Sequence, residues 1–304
     1  MDALNETHLS VVEERWPRLP YAQWRDTCDT LHLYTQILGK LRLALSPEEP
    51  EWQHTALYVT ARGLTTRPMA YDSFTVEIEF DFLTDQLRFE TNDGRAPTIP
   101  LQPRSVADFY AEVMHVLKTL GMNVEINPMP QEVPNPIPLT EDRTHASYDP
   151  EQVAKFWTIL SGVDTIFRKY RAPFRGRHTL VQFFWGSFDL TYSRFSGRPA
   201  DPPPHANLLF RKAMDAEEIC AGFWFGYEKL PEPAFYAYAY PKPDGFETSK
   251  VRPDGAYWNS EIGEFILSYE NMRTAQSPEN ALLEFLNSTF DIASSLQKWP
   301  KELR

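Results

Sequence analysis

Residues 74–82, FTVEIEFDF, alternate without a break. Phe74, Val76, Ile78, Phe80 and Phe82 fall on one side, and Thr75, Glu77, Glu79 and Asp81 on the other. A two-residue period belongs to a β-strand. The segment is therefore a strand with one face on a core and one in water, as in antiparallel sheets. The carboxylates of its polar side are expected to form a flat, wet face, where like charges repel least. Turn signals flank it: Thr84-Asp85 leads into LRFET, and Asn92-Asp93-Gly94 turns the chain again. HTALYVTA (54–61) precedes it as a further strand.

Helical spacing brackets these strands. In residues 21–45, Leu31, Tyr34, Leu38, Leu41 and Leu45 share one face, and Ser46-Pro47 ends the run. Ser105 opens SVADFYAEVMHVLKTLG, with Asp108 three residues on as in a weak capping box and Gly121 closing it. Five prolines then crowd residues 128–138, an extended connector and the best boundary in the chain. Beyond it the order repeats. Asp149-Pro150 starts a helix to about Tyr170. HTLVQFFWGSFDLTYSRF, EICAGFWFGY, AFYAYAYP and EFILSYE read as extended segments, and Ser277 caps a last helix. The fold class is α+β. It is expected to comprise two tandem helix–four-strand–helix units, 1–126 and 149–304, with antiparallel sheets covered by helices and residues 127–148 between them.

The halves match in cap placement and apolar spacing, which points to an internal duplication, although identities are few. They differ in the faces of their strands. In the second half Tyr236, Tyr238 and Tyr240 share one side, with Phe235, Ala237 and Ala239 opposite. Phe183, Trp185, Ser187 and Asp189 likewise oppose Phe184, Gly186 and Phe188. A sheet apolar on both sides must be covered on both or line a cavity. A tightly packed core and a cavity both remain open here.

The blocks DTCDTLHLYTQILGKLRLAL, LYVTARGLTTRP, DRTHASYDP, FFWGSFDLTYSRFSGRP, AGFW and PAFYAYAYP resemble the signature blocks of a mainly bacterial family. That family carries only a domain-of-unknown-function label. The resemblance runs from about residue 16 to 299. It implies no activity and assigns no residue a role.

Composition narrows the function. The 304 residues carry a formal net charge of -12, which disfavours phosphate backbones as partners. The basic run RKYRAPFRGRH (168–178) reads as a helix C-terminus before it reads as an anion site. No stretch of roughly 18 apolar residues suggests a membrane span. MDALNETHLSVVEERW lacks the basic start and apolar run of an export signal. Two distant cysteines, Cys28 and Cys220, lack any zinc spacing; they could pair only by meeting in space, and reduced core thiols are expected. A cytoplasmic protein without nucleic-acid or membrane partners is expected.

No strong catalytic motif is present. Weaker constellations remain. His32, Gln36 and Lys40 form a polar stripe on the first helix, either a solvated face or donors facing a pocket. Arg143 and His145 lie on the connector, where a ligand seam or a docking loop would both use them. Asp189 shares a face with Trp185, and is either the ion-pair partner of Arg194 or a base in an apolar setting. His54 and His178 hold matching places in the two halves. They could share a metal with Glu218 or Asp189, but no local spacing supports it, and no metal or other cofactor is expected. The function expected from these residues is acid–base chemistry on a small molecule in an aromatic pocket of the second half. His145 and Asp189 would carry the proton, Arg143, Lys40 and His32 would hold the ligand, and Trp185 and Tyr238 would pack it. Non-catalytic ligand binding and a protein-interaction scaffold are the alternatives.

Overall fold

The computed structural model describes residues 15–206, 208–226 and 230–304. The stretch read for an export signal lies outside them but for its last two residues. Tyr227, at the end of one expected strand, lies outside them too.

The first half runs α1 (Tyr21–Leu45), β1 (Tyr58–Val59), β2 (Gly63–Thr65), β3 (Met69–Tyr71), β4 (Phe74–Asp81), β5 (Gln86–Thr91), β6 (Thr98–Pro100) and α2 (Val106–Thr119). The second runs α3 (Pro150–Arg171), β7 (Gln182–Phe184), β8 (Asp189–Pro199), α4 (Leu208–Ala213) and β9 (Ala216–Trp224). It continues with β10 (Ala234–Tyr240), β11 (Tyr257–Asn259), β12 (Glu264–Ser268), α5 (Tyr269–Arg273) and α6 (Pro278–Leu296). The protein is α+β, with two antiparallel sheets of six strands each. The first has the order β1-β2-β4-β5-β6, with β3 also paired to β4; the second has the order β11-β12-β10-β9-β8-β7. Four strands per half were expected. The additional pairings come from three-residue strands such as β3, β6 and β11, too short to show a period.

Local chemistry sets the helix ends. The Ser105 hydroxyl accepts from the Asp108 backbone N–H at 3.1 Å. Asp149 accepts from the N–H groups of Glu151 and Gln152, with Pro150 at the first helical position. Ser277 accepts from Asn280 N–H. At the end of α2, Gly121 takes φ +85. Its N–H bonds the Lys118 carbonyl and the Met122 N–H bonds that of Leu117, which satisfies two otherwise orphaned acceptors. Ser105→Ala is expected to cost about 1 kcal/mol in denaturant unfolding. No measurable change would mean that the Asp108 N–H is satisfied some other way.

The alternating face of β4 is buried as its pattern requires: Val76, Ile78 and Phe80 are inaccessible. α1 and α2 pack together over this sheet; Tyr34 of α1 stacks on Phe109 of α2 at 3.8 Å, and Phe80 lies at 6.4 Å from the same ring. The opposite face is not uniformly wet. Asp81 is only 1% exposed, because Arg62 and Arg88 close over it at 2.6 and 3.6 Å. Those two guanidiniums relieve the like-charge row that the strand alone suggests.

The two sheets meet edge to edge. Leu57, beside β1, pairs with Phe183 of β7 through two backbone hydrogen bonds of 2.9 and 2.8 Å. One hydrophobic core extends through both halves, from Trp16 to Trp299. α1 lies deep in it, with Leu31, Tyr34, Ile37, Leu38 and Leu41 wholly buried. α3 and α6 cover one face of the second sheet. The other face is left to α1, the proline-rich connector and α4. Among the described residues no helix is long and apolar enough to cross a membrane.

Candidate functional site

The polar stripe of α1 is not solvated. Gln36 donates through Nε2 to the Gln131 carbonyl and accepts through Oε1 from the Gln131 N–H, both at 2.8 Å. Lys40 Nζ donates to the Met129 carbonyl at 2.8 Å. His32 Nε2 lies 3.0 Å from the Gly186 carbonyl. One helix face thus clamps the connector and the turn after β7. The clamp sets residues 125–132 as a wall facing the second sheet. Gln36→Leu removes both bonds to Gln131, whose backbone can then turn to water. A stability loss of about 1 kcal/mol is expected, with faster amide exchange over residues 129–132. Unaltered exchange there would show that the prolines alone hold the connector.

Between that wall and the sheet lies a cavity of about 540 Å³. Its floor is the face of β8, β9 and β10 that carries Asp189, Thr191 and Ser193, Glu218 and Cys220, and Tyr236 and Tyr238. Strand parity puts these side chains together, since residues two apart share a face. The registers Thr191↔Gly222 and Gly222↔Tyr236 line up three strands. Gly222 lacks a side chain where the Tyr236 ring crosses its strand. A Cβ there would lie 2.1 Å from the ring carbon Cζ. The ring therefore spans β9, and its hydroxyl donates to Asp189 Oδ2, while Ser187 donates to Oδ1. Trp185 forms part of the wall, with its Nε1 donating to the Thr55 carbonyl at 2.9 Å. Leu43, Leu208 and Phe210 also line the cavity and are substantially exposed.

This cavity gathers several carboxyl groups and, among its described lining residues, one cation, Lys40, which pairs with none of them. Asp189 and Glu218 are 3% and 4% exposed, and neither has an ion-pair partner among the described residues. Burial pushes the Asp189 carboxyl up to about 6, against the opposing effect of the Ser187 and Tyr236 hydroxyls. Burial likewise pushes Glu218 up to about 8. Glu132, on the connector and open to solvent on one side, is raised by burial and then by the nearby Asp189. Lys40 is lowered to about 8 by burial; its ammonium sits over the Trp185 ring at 5.5 Å. Glu51 is also at the cavity but is paired with Arg177.

The cavity takes in Lys40, Trp185, Asp189 and Tyr238 from the residues singled out in the sequence, and leaves out His32, Arg143 and His145. His145 Nδ1 bonds the buried Asp142 carboxylate at 2.7 Å, and Arg143 pairs with Asp108 at 3.0 Å. The carbonyls of Asp142 and His145 accept from the first N–H groups of α2, so this turn serves as a helix cap. His32 stays beside the turn it clamps, its pKa lowered by burial. Arg194 is not the partner of Asp189. Five residues apart on β8, they face opposite sides. The Arg194 guanidinium lies among Tyr170, Phe174 and Phe290 at 3.7, 4.8 and 4.3 Å, donating to the Tyr170 carbonyl at 2.5 Å. His54 accepts from Glu49 N–H, and His178 bonds the Thr179 carbonyl. No group of three metal-ligating side chains converges among the described residues. Glu132 and Gln182 also line the cavity, and the Tyr236 hydroxyl bonds Asp189; none of the three belongs to a motif in the sequence. Parity along β8 to β10 was the available signal for the last.

Fold and cavity define an α+β protein with two antiparallel sheets and a carboxyl-lined cavity against one face of the second. The chain belongs to the family of unknown function DUF5996, whose profile matches residues 16–304, in line with the resemblance of its signature blocks. No curated protein and no solved structure matches it.

Proposed function

We propose that the cavity binds a small organic molecule and that Asp189 exchanges a proton with it. The observation that carries this is Asp189 itself: a buried carboxyl on a cavity floor, held by two hydroxyls and no cation. A carboxylate so placed is a stronger base than one in water, and its raised pKa lies near neutral pH. Tyr236 orients it, and Trp185 and Tyr238 give the ligand apolar surface. Lys40, at the same cavity, is the cation available to a developing negative charge. Binding without turnover is the second reading, and it is favoured by the hydroxyl already on each Asp189 oxygen. The test is incubation of the full chain with a cell metabolite extract, followed by untargeted mass spectrometry. Depletion of one species by the wild type but not by Asp189→Asn supports proton transfer. Retention of a species without conversion supports the second reading. Neither depletion nor retention sinks both.

Two coarser features support a wider picture. Both cysteines are free and buried, which suits a reducing compartment and hence the cytoplasm. In each half the first helix is followed by an antiparallel meander that starts at the shared edge, β1-β2-β4-β5 in one and β7-β8-β9-β10 in the other. That parallel supports an internal duplication. A superposition of residues 21–126 on 149–298 that overlays these strands but not the flanking helices would count against it.

A further inference from the structure

We infer that the cavity's ligand is an organic cation, an amine carried on an apolar or aromatic body. This rests on the small-molecule site proposed above and names the class of molecule that fills it. The case is one of donors and acceptors. Several donors at the cavity are engaged within the protein: Trp185 Nε1 on the Thr55 carbonyl, one N–H of Lys40 Nζ on the Met129 carbonyl, and the hydroxyls of Ser187 and Tyr236 on Asp189. The Tyr238 hydroxyl points to Glu218 at 3.5 Å. Acceptors are in surplus. Gln182 lines the cavity at 2% exposure, and its Oε1 has no hydrogen-bond partner. Asp189 and Glu218 offer further lone pairs, and Glu132 adds a third carboxyl beside Gly186.

An ammonium presents three donors and no acceptor, the complement of this inventory. It would also bring a positive charge beside carboxyl groups that have no ion-pair partner among the described residues, and so favour their ionised forms, whereas a carboxylate or phosphate ligand would oppose that ionisation in a setting of low dielectric. A neutral alcohol would satisfy one acceptor and none of the charge. Trp185, Tyr236 and Tyr238 line the cavity with aromatic rings that suit an apolar or aromatic body. Lys40 forms no ion pair with these carboxyls; its ammonium bonds the Met129 carbonyl and lies over the Trp185 ring.

The experiment uses three probes that share one ring system: tryptamine, tryptophol and indole-3-acetate, titrated calorimetrically into the full chain at pH 7.5. Tryptamine is expected to bind at least tenfold more tightly than either of the others. Equal or tighter binding of tryptophol or indole-3-acetate overturns the cation inference and leaves the small-molecule site standing. No binding of any probe at millimolar concentration overturns both. In the Asp189→Asn, Glu218→Gln double variant the tryptamine affinity is expected to fall at least tenfold, to the level of tryptophol; an unchanged affinity overturns the inference. Circular dichroism establishes that this variant folds. If it does not, Glu132→Gln at the solvent-facing wall takes its place, with an expected loss of about threefold and the same overturning result if tryptamine binding is unaltered.

Discussion

At pH 8 the Asp189→Asn protein is expected to be more stable than the wild type, although it loses the group proposed to move the proton. Asp189 is buried beside no cation, and its folded-state pKa is raised to about 6. An unfolded aspartate titrates near 3.9. Below about pH 4 both states are protonated and the residue carries no penalty. As pH rises from about 4 to about 6 the unfolded chain gives up its proton first, so stability falls across that window and stays low above it. The gap of about two pKa units corresponds to roughly 3 kcal/mol. Asparagine carries no charge, and its amide can accept from one of the Ser187 and Tyr236 hydroxyls and donate to the other. Glu218→Gln follows the same course over a wider window, from about pH 4 to about pH 8. Urea unfolding of wild type and Asp189→Asn at pH 3.5 and pH 8 gives the comparison. The curves should lie close together at pH 3.5 and separate at pH 8 with the variant ahead. A variant less stable at pH 8 would reveal a charge-assisted partner that holds Asp189 ionised. The expected trade of stability for a functional carboxyl is common at active sites.

How far the sequence foretold this arrangement depends on whether a signal was local. The strand at 74–81 was legible from alternation alone, because its two faces meet different media. The helix starts at Ser105, Asp149 and Ser277 were legible because a capping side chain and the N–H it serves lie within three residues. The β1–β7 joint was not, since Leu57 and Phe183 are far apart in sequence and each segment forms only two or three residues of strand. The α1 stripe shows the same limit. His32, Gln36 and Lys40 have the spacing of a solvated face, and only the return of the connector turns them into a clamp. The site was half legible. Aromatic side chains on both faces of the second sheet left packed core and cavity open, and a cavity lies on one face. The proposed Asp189–Arg194 pair failed for a reason available at the outset: an odd separation along a strand sends two side chains to opposite sides.

Gly222→Ala should close the site from within the sheet. The new methyl would lie 2.1 Å from Tyr236 Cζ and 2.2 Å from its hydroxyl oxygen. The ring cannot simply slide aside, because its other surroundings include Trp224, stacked on it at 4.1 Å. It must rotate out toward the cavity, break its bond to Asp189 and occupy ligand space. Overpacking of this kind costs about 1–3 kcal/mol, and loss of the Tyr236 bond leaves one buried Asp189 oxygen unpartnered. Thermal unfolding should show the destabilisation, and probe binding should fall below detection. A double-mutant cycle separates the ring from other causes. In the Tyr236→Ala background the obstacle is gone, so adding Gly222→Ala should change stability by about 0.5 kcal/mol or less. If alanine costs as much there as in the wild type, the clash lies with backbone rather than with Tyr236. The open strand position would then have nothing to do with delivering the tyrosine hydroxyl to Asp189.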